Sequence, residues 1–462
     1  MRKTKHVIAQ FTFYDRSGIQ KFLEEQAQKG WQLEKIGNFT WKFRRIEPKK
    51  LHYAVTYFPK ASIFDPGPSE SQKRLQEFCA HGGWILVGTT AQMQVFYNEA
   101  EDPVPIETDS LIELENIHES AKKSFLPSYY LLLAVCILQM GMFFWQLHHA
   151  PLNTLSSNLN LFPAFCWAGL FLECVFEMVR YFLWHRRALA AAQTDGSFVK
   201  TRGFRNVQLV LLWVYLASFV LMVSSLGGKM VAITLSGIVL VSALVLLVLG
   251  IREGLKRLEF SAGANKIITI GSCVMLSFLV VGVGTVAVMN GIDRIWPDES
   301  ASTYEYKGIT FTSYDDVLPL KIEDLTDTAQ GDYSYYFKGD CSVFLEKYVA
   351  RQDPNMRDLG LPELRYVILD VKTPWILDTC LKELLDQYAG WEYTDVYGNV
   401  YHDEFVEVDA APWGADAAYQ GFNGGYAETE YVLCYGDRII NIEFDWEPTA
   451  QQMVIVREKL GN

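Results

Sequence analysis

Three ionisable residues interrupt a long apolar run: Glu173, Glu177 and Arg180. The two carboxylates lie four positions apart, so a helix puts them on one face, and Arg180 follows three positions later. A charge at membrane depth is costly and must face protein or water. Two chemistries fit this spacing. One is an ion or proton relay, or a polar coupling site in a sensor. The other is structural: Glu177 pairs with Arg180 near the inner boundary, and Glu173 hydrogen-bonds a neighbouring helix through Ser218, Ser224 or Ser225. Both readings stand for Glu173; the structural one is preferred for Glu177 and Arg180.

Other chemistry-bearing groups are weaker. His148 and His149 are adjacent, so a helix points them different ways, and no third ligand is near for zinc. Asp315-Asp316, Glu323-Asp324 and His402-Asp403-Glu404 are acidic clusters without the spacing of a calcium loop. Cys341, Cys380 and Cys434 allow one disulfide with a thiol left over, or three buried thiols. Phosphate-loop, zinc-protease, nucleophile-elbow and C-x-x-C motifs are missing, so no catalytic residue, metal site or cofactor is assigned. The expectation is a protein that is not an enzyme.

These groups must be positioned by membrane helices. Five stretches have the length and apolarity to cross a bilayer: Leu126–Leu147, Leu161–Trp184, Val207–Leu226, Met230–Gly250 and Ile267–Met289. Cations gather before the first (Lys122, Lys123), after the second (Arg186, Arg187, Lys200, Arg202, Arg205) and after the fourth (Arg252, Lys256, Arg257, Lys266). The positive-inside rule then puts the N-terminus in the cytoplasm and, after five crossings, the C-terminus outside a cell membrane. Charge is partitioned likewise: residues 1–290 carry 28 Lys and Arg against 21 Asp and Glu, residues 291–462 carry 13 against 33. The formal net charge of −13 argues against direct nucleic-acid binding.

Residues 1–105 read as one β-α-β-β pattern used twice. The first copy is a strand His6–Tyr14, a helix Ser17–Lys29, then strands Gln32–Ile36 and Phe39–Arg45. The second is a strand Leu51–Phe58, a helix Ser71–Ala80, then strands Ile85–Val87 and Gln92–Tyr97 around Gly88. Phe22, Leu23 and Ala27 form one apolar stripe, and Leu75, Phe78 and Cys79 another. Gly30 and Gly83 fall where a left-handed helix cap wants glycine, and Trp31 and Trp84 follow as packing anchors. The runs FLEEQAQKGWQLEKIGNFTWKFRR, HYAVTYF and LQEFCAHGGWILVGTTAQMQVFYNE resemble the DUF2812 family, a domain of unknown function from bacterial, mostly Gram-positive, membrane proteins. The resemblance covers about residues 5–110. It implies a cytoplasmic module joined to membrane helices and an association with PadR-like regulators, and it supplies no catalytic residues.

Residues 106–124 read as an acidic linker with two open readings: a plain tether, or one ending in a short amphipathic helix, Ser110–Ser120, whose Leu111, Leu114 and Ile117 would dock on membrane or domain. Residues 125–290 are the five-helix transmembrane domain. Residues 297–462 are an acidic α+β domain with helices Pro374–Tyr388 and Thr449–Leu460. Its strands are Tyr333–Phe337, Leu364–Val371, Glu430–Tyr435 and Arg438–Phe444, the last two joined at Gly436-Asp437; Gly421–Gly425 reads as a loop.

The whole is expected to be a multi-domain membrane protein: a sensor or regulatory protein that couples an acidic extracytoplasmic domain to a cytoplasmic interaction domain. Its partners would be the lipid bilayer, a cytoplasmic protein linked to a PadR-like regulator, and a second copy in a homodimer. Arg44, Arg45, Lys49 and Lys50 are offered as part of the inner contact surface. The alternative is a transport accessory or small transporter with Glu173 on the pathway.

Overall fold

Two segments with the same hydrophobic pattern fold the same way in the computed structural model, which describes residues 3–8, 11–37, 40–90, 92–194, 196–201, 205–224, 228–286, 290, 300–326, 332–355, 360–386, 392–394, 398 and 400–461. The first copy is β1 (Thr4–Val7), α1 (Arg16–Gln28), β2 (Trp31–Lys35) and β3 (Trp41–Arg45). The second is β4 (His52–Tyr57), α2 (Glu70–His81), β5 (Ile85–Thr90) and β6 (Met93–Asn98). The sheets are antiparallel with matching orders, β1-β3-β2 and β4-β6-β5, so each copy places its third strand at the centre.

The helix ends follow from local chemistry. Asp15 caps α1, its Oδ1 accepting from Gly18 N at 3.0 Å, and Ser69 caps α2. Ile19, Phe22, Leu23 and Ala27 make one buried stripe on α1. Gly30 at φ 77° and Gly83 at φ 80° take the left-handed conformation. A Cβ on Gly30 would meet the Ile46 carbonyl oxygen at 2.9 Å.

Three local expectations change. The first strand stops at Val7, because Phe11, Phe13 and Tyr14 turn into an aromatic cluster. Phe78 is 70% exposed, because only Leu75 and Cys79 on α2 reach the small core with Trp84 and Phe96. Gly88 lies inside β5 at a bulge between Leu86 and Gly88, not between two strands.

The connector leads into α3 (Ser110–Ser120), which buries Leu114 and Ile117 and leaves Leu111 exposed. A π-helical turn, Ala121–Phe125, joins α3 to α4 (Leu126–His149), making one helical rod of 40 residues. There follow α5 (Pro151–Leu155), α6 (Asn158–Thr194), α7 (Arg205–Ser224), α8 (Gly228–Arg257) and α9 (Ala262–Leu279). Among the described residues, four helices are long and apolar enough to cross a membrane: Ser110–His149, Asn158–Thr194, Met230–Arg257 and Ala262–Gly284. The segment expected as the third span is α7, whose described apolar stretch, Gln208–Val220, is shorter.

The chain divides into two compact units, Met1–Gln139 with Cys166–Asn290, and Met140–Phe165 with Gly291–Asn462. The second unit is α+β. A hairpin of β7 (Ala301–Tyr306) and β8 (Ile309–Tyr314) precedes an eight-stranded antiparallel sheet. Its strands are β9 (Tyr333–Cys341), β10 (Leu345–Pro354), β11 (Leu364–Val371), β12 (Glu392–Thr394), β13 (Val400–Val408), β14 (Ala417–Asn423), β15 (Tyr426–Tyr435) and β16 (Arg438–Phe444). Their order is β12-β13-β14-β15-β16-β11-β10-β9. Gly421 belongs to β14, and Gly424 and Gly425, both at positive φ, make the turn into β15. The expected turn at Gly436-Asp437 joins β15 to β16, with Gly436 at φ 61°.

Both faces of this sheet are covered. Tyr366, Tyr431, Leu433, Ile440 and Phe444 pack with Trp413 and with Val456 and Leu460 of α11 (Ala450–Leu460). Leu345, Leu369, Val432 and Ile439 pack with α10 (Leu377–Asp386) and with Leu152 of α5. Ser342 Oγ donates to Leu155 O, and Lys347 Nζ to Asn153 Oδ1, both at 2.5 Å. The segment between the first two long helices is therefore built into the C-terminal α+β unit.

Candidate functional site

The first unit has its chemistry where the duplicated module meets the long helices. Asp15, 1% exposed, caps α1 and accepts from Thr201 Oγ1 at 2.5 Å. Tyr14 stacks on Trp184 with centroids 5.0 Å apart and meets Tyr181 edge-on at 5.2 Å. Phe13 stacks on Phe125 at 6.0 Å, and the Tyr57 hydroxyl donates to Phe13 O. Phe125, Tyr181 and Trp184 belong to the long helices, so the module and the helices share one core. Polar ties add to it. Lys123 Nζ donates to Pro59 O at 3.1 Å. Asn265, fully buried, donates to Phe64 O at 3.0 Å and to Arg252 O at 3.3 Å.

Arg16, the first residue of α1, ion-pairs with Glu113 and lies 3.7 Å from Glu107. Glu113 stands in the first turn of α3, where a carboxylate suits the helix dipole, and is 6% exposed. Glu107 comes from the connector. Two acids thus share one guanidinium, and the Oε2 atoms of Glu107 and Glu113 are buried with no hydrogen-bond partner among the described residues. Burial, then the Glu113 charge, push the Glu107 carboxyl up to about 7 against the pull of Arg16. Burial and the Glu177 charge push the Tyr14 phenol up to about 12, and its hydroxyl has no hydrogen-bond partner among the described residues. Two hollows flank Arg16. One is a cleft of about 720 Å³ lined by Tyr14, Arg16, Glu113, Trp184 and Lys200; the other, of about 240 Å³, lies under the connector.

The residues singled out in sequence fall in different places. Glu177 is 2% exposed; its Oε1 accepts from Arg180 Nη1 at 2.9 Å and Gln208 Nε2 at 3.5 Å, while Oε2 has no hydrogen-bond partner among the described residues. Glu173 is half-buried one turn away and is not part of that pair. One turn before it, Gly169 leaves room for the Tyr215 hydroxyl of α7. Ser225 lies outside the described residues, as does the side chain of Ser224. Arg44, Arg45, Lys49 and Lys50 are exposed. Arg44 donates to Gln32 Oε1, Lys49 pairs with Glu99 at 2.6 Å, and Arg45 lies 5.0 Å from the Trp31 ring, which Lys5 approaches at 4.7 Å. Trp84 is 6% exposed and its Nε1 donates to Val104 O at 2.9 Å.

In the second unit Asp316, Glu323 and Asp324 of the acidic clusters serve the fold. Asp316 accepts from Phe337 N, Glu323 from Tyr335 and Gln352, and Asp324 from Lys321 N and Lys459. The side chains of His402 and Asp403 lie outside the described residues, and among those described no group of three metal-binding side chains forms. Cys341, Cys380 and Cys434 are free; Cys341 is exposed, with Lys372 Nζ at 3.1 Å.

The Arg16–Glu107–Glu113 group is absent from the sequence reading, although one signal for it exists. Ser110, Glu113, Leu114 and Ile117 share the buried face of α3, so an acid lies on an apolar stripe. The architecture is that of an α+β protein with membrane-length helices rooted in a duplicated module. Residues 15–128 match the family model described as "Protein of unknown function (DUF2812)", which shows the resemblance over that segment and encloses Arg16, Glu107 and Glu113. No curated protein and no solved structure matches the chain.

Proposed function

We propose that this chain is a non-enzymatic membrane sensor or regulatory protein. Its acidic α+β domain lies outside, its duplicated module lies in the cytoplasm, and five helices join them in the cell membrane. The observation that carries the reading is the shared core: Phe13, Tyr14 and Tyr57 of the module pack against Phe125, Tyr181 and Trp184 of two long helices. A change in helix position is then felt by the module directly, which a flexible tether would not transmit. The module would bind a cytoplasmic protein, linked to a PadR-like regulator by the resemblance, and the chain would work as a homodimer.

Parity supports five crossings. The segment around α5 packs with the C-terminal domain, so both lie on one side, and an even number of crossings separates them. Three long helices, α6, α8 and α9, lie between, and a crossing by α7 would make the number even. The module touches the alternate connections, at Thr201 and at Asn265, as the positive-inside reading requires.

An impermeant maleimide applied to intact cells tests the arrangement. Labelling of exposed Cys341 is expected, and a Cys341 that reacts only after lysis refutes it. Capture of cytoplasmic partners by full-length protein and by a chain lacking residues 297–462 tests coupling; the same partners under every condition would count against it.

A further inference from the structure

The smaller hollow beside Arg16 has a composition that calls for a particular occupant. Its charged lining is Glu24, Asp102 and Glu107 against the single guanidinium of Arg16, and no lysine contributes. Arg16 is already engaged by Glu113, so the hollow keeps a surplus of negative charge. Among the described residues, its walls also hold polar atoms with no hydrogen-bond partner. Thr56 is 2% exposed and its Oγ1 is one such atom, and buried His52 Nε2 is another; Glu107 Oε2 is buried 3.7 Å from Arg16 Nη1 and accepts no hydrogen bond. Unmatched buried polar atoms are costly, and several lining one space mark a site made for hydrogen-bonding matter. Trp84 supplies an aromatic wall against which an aliphatic chain can pack.

We propose that this hollow binds a compact organic ammonium ion, whose N–H groups donate to Glu107 and Thr56 while its carbon chain lies along Trp84. An anion is opposed by the three carboxylates. A metal ion is disfavoured because the described acids and histidines form no cluster close enough to ligate one. The volume of about 240 Å³ admits a chain of several carbon atoms. One wall is the connector Asp102–Glu107, pinned by the Trp84 indole to Val104 O. A guest there contacts the segment that leads into α3. The inference rests on the hollow alone and holds whether or not the chain signals.

The test is calorimetric titration of the full-length protein in neutral detergent at pH 8 with 1,4-diaminobutane, with sodium acetate and magnesium chloride as separate probes. Saturable one-to-one uptake of the diamine is expected, weakened at least about tenfold in Glu107→Gln and several-fold in the near-isosteric Thr56→Val. Glu101→Gln, an exposed connector acid outside the lining, should bind as the wild type does. The proposal is overturned by the absence of saturable diamine binding up to about 10 mM. It is equally overturned if both lining variants bind unchanged, or if acetate or magnesium alone gives the saturable signal.

Discussion

Replacing Glu107 by glutamine should make the protein more stable above neutral pH and leave it unchanged in acid. Glu107 has a side chain 17% exposed, beside a second acid and one shared guanidinium. Its carboxyl rises from 4.5 in an unfolded chain to about 7 in the fold. Between these values the folded state holds the proton and the unfolded state does not, so stability falls as pH rises. A gap of about 2.5 units at 1.36 kcal/mol each gives a penalty of about 3 kcal/mol, complete above pH 7 and vanishing below about 4.5. Glutamine keeps the shape and cannot ionise. Urea-dependent proteolysis of detergent-solubilised wild type and Glu107→Gln across pH 4.5–8 reads the difference. The wild type should lose resistance through this window, and the variant should lose less. Parallel profiles for the two proteins would refute the assignment of a strained acid at this position.

Asn265→Ala removes a buried amide that serves two carbonyls, and should cost about 1–3 kcal/mol, seen as faster cleavage between Pro59 and Pro66. Gly30→Ala forces a side chain into left-handed backbone against the Ile46 carbonyl and should cost at least about 1–2 kcal/mol in thermal unfolding. Trp84→Phe keeps one aromatic ring but loses the bond to Val104 O and part of the buried indole; at least about 1 kcal/mol and faster amide exchange across residues 102–107 are expected. Among the thiols of the C-terminal α+β domain, Cys341 should alkylate first. Burial pushes Cys380 and Cys434 up to about 11, so they should react only on unfolding, as mass spectrometry of timed reactions would record.

Features with strong local causes were legible in the sequence. The α3 boundaries follow from Asp109 as cap and from the Leu114 and Ile117 stripe. The duplicate follows from two glycine-ended helices, each succeeded by Trp and a strand, and the β15–β16 hairpin follows from Gly436. Strand β10 was not read, because sheet burial on both faces erases its alternation: Leu345 packs on one side and Ala350 on the other. The Arg16 group was not read because its acids come from two elements far along the chain from α1, and charge type alone does not say which acids a fold will bury. The link from α5 to the eight-stranded sheet was hidden for the same reason. Its apolar residues, Leu152 and Leu155, are too few to signal a docking surface by themselves.

The rod that runs from Ser110 to His149 carries its wide turn between α3 and the apolar helix α4. A π turn accommodates one residue beyond the α-helical complement, so the two halves keep their separate facings only because that surplus is absorbed locally. Shortening Ala121–Phe125 by one residue would leave both seams in place. The same deletion a few turns higher would swing everything beyond it by about 100° and tear the aromatic lock from its seat.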